Sequence, residues 1–114
     1  MTEDITMNAY QAGTSTTAIY PGKGTIMGLI YVALGLGESG EVQGKVKKIL
    51  RDSDGVLTEE TRQKIKAELG DMLWYASQMC SELGVTMGEV ASENLVKLAD
   101  RKARDVLKGD GDKR

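Results

Sequence analysis

Residues 58–84, TEETRQKIKAELGDMLWYASQMCSELG, carry the signals of one long helix from its first cap to its last. Thr58 supplies an N-cap hydroxyl, and Glu59 and Glu60 place negative charge on the first turn, where the helix dipole is positive. Gly84 offers a left-handed C-cap. A rotation of about 100° per residue gathers Leu69, Met72, Leu73, Ala76, Met79, Cys80 and Leu83 into one apolar stripe, with Glu68 and Asp71 along its edge. The stripe is expected to face the core. Trp74 falls on the opposite side, which predicts burial in a subunit interface, with base stacking as the alternative.

Toward the N-terminus, apolar spacing from Ile26 to Arg51 predicts a second long helix, stopped by the turn cluster Asp52-Ser53-Asp54-Gly55. Gly35, Gly37, Gly40 and Gly44 within it each cost about 1 kcal/mol relative to alanine, so close packing or an approaching ligand is expected to need the space. Residues 6–17 predict a short first helix that weakens in Thr14-Ser15-Thr16-Thr17. Tyr20-Pro21-Gly22-Lys23-Gly24 reads as a turn; Gly24 follows Lys23 where a phosphate-binding loop needs Ser or Thr, so that motif is excluded. Toward the C-terminus, Thr86-Met87-Gly88-Glu89 has the form of a capping box and opens a helix to about Leu107, followed by a charged, glycine-rich tail, 108–114, expected to be mobile. No strand-like alternation of useful length appears. The expectation is an all-α fold, a bundle of about four helices forming one domain over residues 1–114.

Composition narrows the chemistry. The chain has no histidine, which removes the usual zinc ligand, the commonest general base and the Ser-His-Asp and Cys-His systems. Catalysis has to run on carboxylates. A net charge of -2 gives no field for nucleic acid, so no stable nucleic-acid partner is expected. The single cysteine, Cys80, suits a small core position in a reducing compartment. The acidic start lacks the basic-then-apolar order of a secretory signal, and no apolar run nears the ~20 residues of a membrane span. A cytoplasmic protein without a membrane partner is expected. At 114 residues and without disulfide or zinc, self-association is the natural supplement to a small core.

Two acidic pairs stand out, Glu38-Ser39-Gly40-Glu41 and Glu68-Leu69-Gly70-Asp71, each at i, i+3 spacing and each expected inside a long helix. On a helix that spacing sets both carboxylates on one face. The 26–51 helix would group Tyr31, Leu34, Glu38, Glu41, Val42, Lys45 and Ile49, so side-by-side packing brings four acids together. Such a cluster calls for a divalent cation, and oxygen-only donors select Mg²⁺ first and Mn²⁺ next. Lys45 and Lys48 share the acidic face, while Asn94, Lys97, Arg101 and Arg104 share a face of the last helix. A cationic lining beside metal-binding acids suits a polyphosphate, with Tyr31 on the same face either contacting that substrate or packing.

These residues, with Tyr10-Gln11, Ala18-Ile19-Tyr20-Pro21, Leu34 to Glu41, Lys47 to Asp52, Glu68 to Tyr75, Asn94 to Arg101 and Lys108 to Arg114, resemble the MazG-like nucleotide pyrophosphohydrolases of the all-α NTP pyrophosphatase superfamily. The resemblance implies that Glu38, Glu41, Glu68 and Asp71 hold Mg²⁺, that Asn94 and Lys97 match an Asn-x-x-Lys element, and that a nucleoside triphosphate is cut between its α- and β-phosphates. It also implies a homodimer or a dimer of dimers. Glu38 and Glu41 are the candidate catalytic acids, Glu38 taking the proton of the attacking water; Lys45, Lys48, Asn94, Lys97, Arg101 and Tyr31 are the candidate substrate contacts. A non-catalytic nucleotide or metal sensor, a helical oligomerisation module, and a related dUTP, dCTP or phosphoribosyl-ATP pyrophosphohydrolase are the alternatives, and base and sugar preference stay open.

Overall fold

A computed structural model describes residues 4–39, 41–52 and 54–104. Five helices follow one another: α1 (Met7–Ser15), α2 (Ile26–Glu38), α3 (Glu41–Asp52), α4 (Glu59–Glu82) and α5 (Met87–Ala103). Among the described residues there is no strand, and the all-α bundle expected from the sequence is the observed class. The 108–114 tail and the last residues of the helix expected to reach Leu107 lie outside the described residues.

Local chemistry sets most of the ends. The hydroxyls of Thr6, Thr25, Thr58 and Thr86 each accept from a backbone N–H of the first turn that follows, capping α1, α2, α4 and α5. At the other end of α1, Thr14 and Thr16 donate to the carbonyls of Gln11 and Gly13, both at 2.7 Å, which diverts the hydroxyl-rich run from helix into turn. Gly84 closes α4 at a φ of 72°.

The single helix expected over 26–51 is instead two. α2 stops at Glu38, and Ser39 accounts for the stop: its N–H turns back to the Leu36 carbonyl at 3.2 Å, while its buried hydroxyl donates to the Gly35 carbonyl, also at 3.2 Å. Glycine-rich sequence makes such a break inexpensive. Gly40 itself lies outside the described residues.

α4 touches each of the other four helices. Its inward face, however, takes only part of the apolar stripe: Cys80 is buried and Met79 packs on the buried cluster, but polar residues hold the most enclosed positions. Ser77 and Gln78 are both 0% exposed, whereas Leu69 is 59% exposed and Leu73 and Leu83 are also outside. Trp74, expected in a subunit interface, packs within the protomer against the buried cluster of Ala18, Tyr20 and Val32, and its indole N–H donates to Thr17 Oγ1 at 3.0 Å.

Polar groups sealed in this way need partners. Thr14 and Ser77 share a hydrogen bond of 2.8 Å, Gln78 Nε2 donates to Thr14 Oγ1 at 2.8 Å, and the Tyr20 hydroxyl lies 3.1 Å from Gln78 Oε1. Gln11 stitches α1 to the α4–α5 junction, donating to the Val85 carbonyl at 2.9 Å and accepting from Met87 N at 2.7 Å. Among the described residues no buried side-chain polar atom lacks a partner.

Of the α2–α3 glycines expected to need space, Gly35 explains itself by close approach. A Cβ on Gly35 would stand 2.2 Å from Tyr75 Cε1, so the bare backbone of α2 lets the Tyr75 ring lie against it. Gly44 has nothing within 4 Å. Gly35→Ala is expected to lower stability by about 1–3 kcal/mol through overpacking, while Gly44→Ala leaves it unchanged or raises it by up to ~1 kcal/mol. Urea unfolding of the two variants checks the contrast.

Candidate active site

Glu68 and Asp71 lie on adjacent turns of α4, as the i, i+3 spacing requires. Glu68 is half-buried and its Oε1 stands 3.4 Å from Lys45 Nζ on α3, so the lysine supplies local countercharge. Asp71 is exposed and edges a cavity of about 410 Å³ lined with Thr17, Trp74 and Tyr75. Its field also reaches α1: burial first, and then the negative charge of Asp71, raise the Tyr10 hydroxyl above its ordinary pKa.

The first acidic pair is placed differently from expectation. Glu38 is the last residue of α2 and is exposed, and Glu41 is the first of α3, so the pair straddles the helix break rather than sharing one helical face. The Glu41 side chain lies outside the described residues. Among the described residues no three acids, cysteines or histidines come together as a metal cluster. In donor chemistry the four acids fit a hard divalent cation, since all offer carboxylate oxygens.

The candidate cations divide into two groups. Lys45 and Lys48 line a groove of about 250 Å³ between α3 and α4, together with Ile49, Asp52, Thr61 and Lys64. Lys45 thereby joins the acidic pair to a basic channel. Asn94, Lys97 and Arg101 lie on α5, which packs against α1 and α4; Asn94 is exposed, Lys97 half-buried and Arg101 buried. Among the described residues no ion pair links these three to Glu38, Glu68 or Asp71.

An aromatic recess completes the site. Tyr31 is exposed on α2 and stacks on Tyr20 with ring centroids 5.5 Å apart and planes 7° from parallel. Tyr20 meets Trp74 edge-on at 6.2 Å, and Trp74 meets Tyr75 edge-on at 5.4 Å. These rings, with Thr17, Ile19 and Pro21, enclose about 240 Å³. Thr17, Trp74 and Tyr75 also line the Asp71 cavity, so the recess and the acid share walls. From the sequence, Tyr31 is expected as a substrate contact and base stacking is the alternative for Trp74; Tyr20 and Tyr75 are missed. A usable signal was present, because Trp74 and Tyr75 stand three and four residues after Asp71 and share its side of a helix.

Fold and site together define an all-helical protein in which a carboxylate pair and an aromatic recess meet on one helix. Residues 29–105 match the model of the MazG nucleotide pyrophosphohydrolase domain, and the chain belongs to that family. It is 52% identical over 112 residues to the Gene 37 protein of Mycobacterium phage L5, an alignment spanning 95% of this chain and 98% of that protein. No solved structure matches the chain. The matched span contains both acidic pairs and the Asn94 and Lys97 positions, and it bears out the family read from the sequence.

The Tyr20 hydroxyl is held far above its ordinary value of 10.0, chiefly by burial and then by its hydrogen bond to Glu82 and that residue's negative charge. A raised pKa means that the folded state holds this proton more tightly than the unfolded chain. The contribution to stability is therefore whole below about pH 10 and is lost as pH climbs beyond it. Comparing urea midpoints from pH 8 to pH 12 (roughly the span around an unperturbed tyrosine) should show a shallower alkaline decline in Tyr20→Phe than in the parent.

Proposed function

We propose that this protein is a Mg²⁺-dependent pyrophosphohydrolase that converts a nucleoside triphosphate to its monophosphate and pyrophosphate. The observation that carries the reading is the junction on α4, where Asp71, one turn beyond Glu68, edges a cavity walled by Trp74 and Tyr75 within the span matched to the family. Metal binding and base binding then fall on one helix face.

Glu38, Glu41, Glu68 and Asp71 hold the cation, for which Mn²⁺ is a competent substitute. When bound, that ion polarises the phosphate and lowers the pKa of the attacking water. Glu38 accepts the water's proton and, with Glu41, forms the catalytic pair. Lys45 and Lys48, in the groove beside Glu68, neutralise oxygens of the outgoing pyrophosphate. The base enters among Tyr20, Tyr31, Trp74 and Tyr75, whose rings bury apolar surface and stack.

A second copy of the chain belongs to this reading. Buried apolar residues among those described amount to Ala18, Tyr20, Val32, Cys80 and Met87, while Ile30, Leu34, Leu69, Leu73, Leu95 and Val96 are exposed on α2, α4 and α5. A monomer would leave that surface in water. In a homodimer or homotetramer it is covered, and Asn94 and Lys97 of a neighbouring copy are the candidate phosphate contacts, whereas Arg101, expected among them, is buried in its own protomer. The expected mass by sedimentation equilibrium is twice or four times that of the chain; a monomer at micromolar concentration refutes the assembly.

Pyrophosphate release from a panel of canonical and modified nucleoside triphosphates, with Mg²⁺ and with EDTA, tests the activity. Asp71→Asn and Glu68→Gln are expected to lower it by about 100-fold or more with melting temperature little changed. Near-full activity in either variant removes the metal assignment. A folded protein that releases no pyrophosphate removes the enzyme.

A further inference from the structure

Glu82 stands at the C-terminal end of α4, eleven residues past Asp71, which is roughly 16 Å along a helix rising about 1.5 Å per residue. That distance puts it beyond reach of a cation held by Glu68 and Asp71. It is nevertheless tied to the site by three bonds. Its Oε2 accepts the Tyr20 hydroxyl at 2.5 Å, and both its oxygens accept the Gly24 N–H, at 3.1 and 3.0 Å. Gln78 Oε1 flanks the same hydroxyl at 3.1 Å.

Gly22 and Gly24 sit at φ of 74° and 83°, a region open to glycine. The surroundings are shaped to admit the carboxylate, since a Cβ on Gly28 would lie 3.0 Å from Glu82 Oε2 and 2.5 Å from the Gly22 carbonyl oxygen. Tyr20, fixed at its hydroxyl end, presents its ring in parallel to Tyr31 and edge-on to Trp74. A carboxylate is the fitting group here because it accepts from every side and donates to none.

Building on the proposed function, we infer that Glu82 is a positioning residue for nucleobase recognition: it clamps Tyr20 and the Gly22–Gly24 turn to α4 and thereby sets the aromatic wall of the recess. Its action is on how tightly the base is held, and the phosphate chemistry at Glu68 and Asp71 is outside its reach. Glu82→Gln keeps the shape but removes the charge and leaves one acceptor oxygen where there were two for the Tyr20 hydroxyl and the Gly24 N–H, so the clamp is weakened.

The experiment combines steady-state kinetics with the emission of Trp74, the chain's one tryptophan. The best substrate of the wild-type panel, and its monophosphate added in EDTA as a ligand that cannot turn over, are tested against wild type, Glu82→Gln and Tyr20→Phe. Glu82→Gln is expected to raise KM about 10-fold with kcat within about twofold, and to weaken monophosphate quenching of Trp74 by a similar factor. In the Tyr20→Phe background the same change should add less than it does alone, because the two share the Tyr20 hydroxyl and only the Gly24 bond is left to lose. Equal loss of kcat for all substrates, or a KM and quenching curve identical to wild type, overturns the positioning role while leaving the enzyme standing. A protein that cleaves nothing but still shows quenching weakened by Glu82→Gln keeps the clamp and loses the enzyme; no quenching of wild type by any nucleotide overturns the clamp. Should Glu82→Gln fail to fold, Tyr20→Phe, which leaves the Gly24 bond intact, carries the same KM and quenching test.

Discussion

Gln78 is wholly buried in the middle of the protein, and the arrangement around it depends on satisfying its amide. A buried amide without partners costs on the order of 1–3 kcal/mol, so Thr14 from α1 and Tyr20 from the following turn must both arrive at its two ends. That requirement sets how α4 is turned about its axis. With Ser77 and Gln78 facing in, the leucines on the other side face out.

The turning of α4 places the site. Trp74, one turn before Gln78, is drawn into the intramolecular cluster, and Tyr75 beside it is received by the bare backbone of Gly35. Asp71, a further turn back, is thereby carried to the cavity that shares Thr17, Trp74 and Tyr75 with the aromatic recess. A polar interior and an acid beside stacked rings are consequences of one helix orientation. The exposed leucines are the third consequence, and in the proposed assembly they are the surface a second copy covers.

The break between α2 and α3 serves the same end. An unbroken helix would keep Glu38 and Glu41 on one face of one rod; the break puts them at a corner where α2 and α3, both packed on α4, meet. Ser39 makes the corner by turning its hydroxyl onto the Gly35 carbonyl, and Gly35 is also the residue that admits Tyr75. Corner and recess therefore share a residue.

The sequence by itself determined the helical class, the Thr58 and Thr86 caps, the Gly84 terminus and the family, because each depends on residues a few positions apart or on the motif itself. It also marked Glu68 and Asp71, whose spacing on α4 is local. The rotation of α4, the break at Ser39 and the aromatic walls were decided by tertiary structure. Periodicity reports which residues of a helix are apolar, not whether the surface that meets them belongs to the same chain or to a copy. Nor does it reveal that Thr14 will find Ser77 and Gln78, hydrogen bonds that close across 63 and 64 residues. Such partners become visible only when the helices are packed, since a buried polar group is stable only where its complement is already in place.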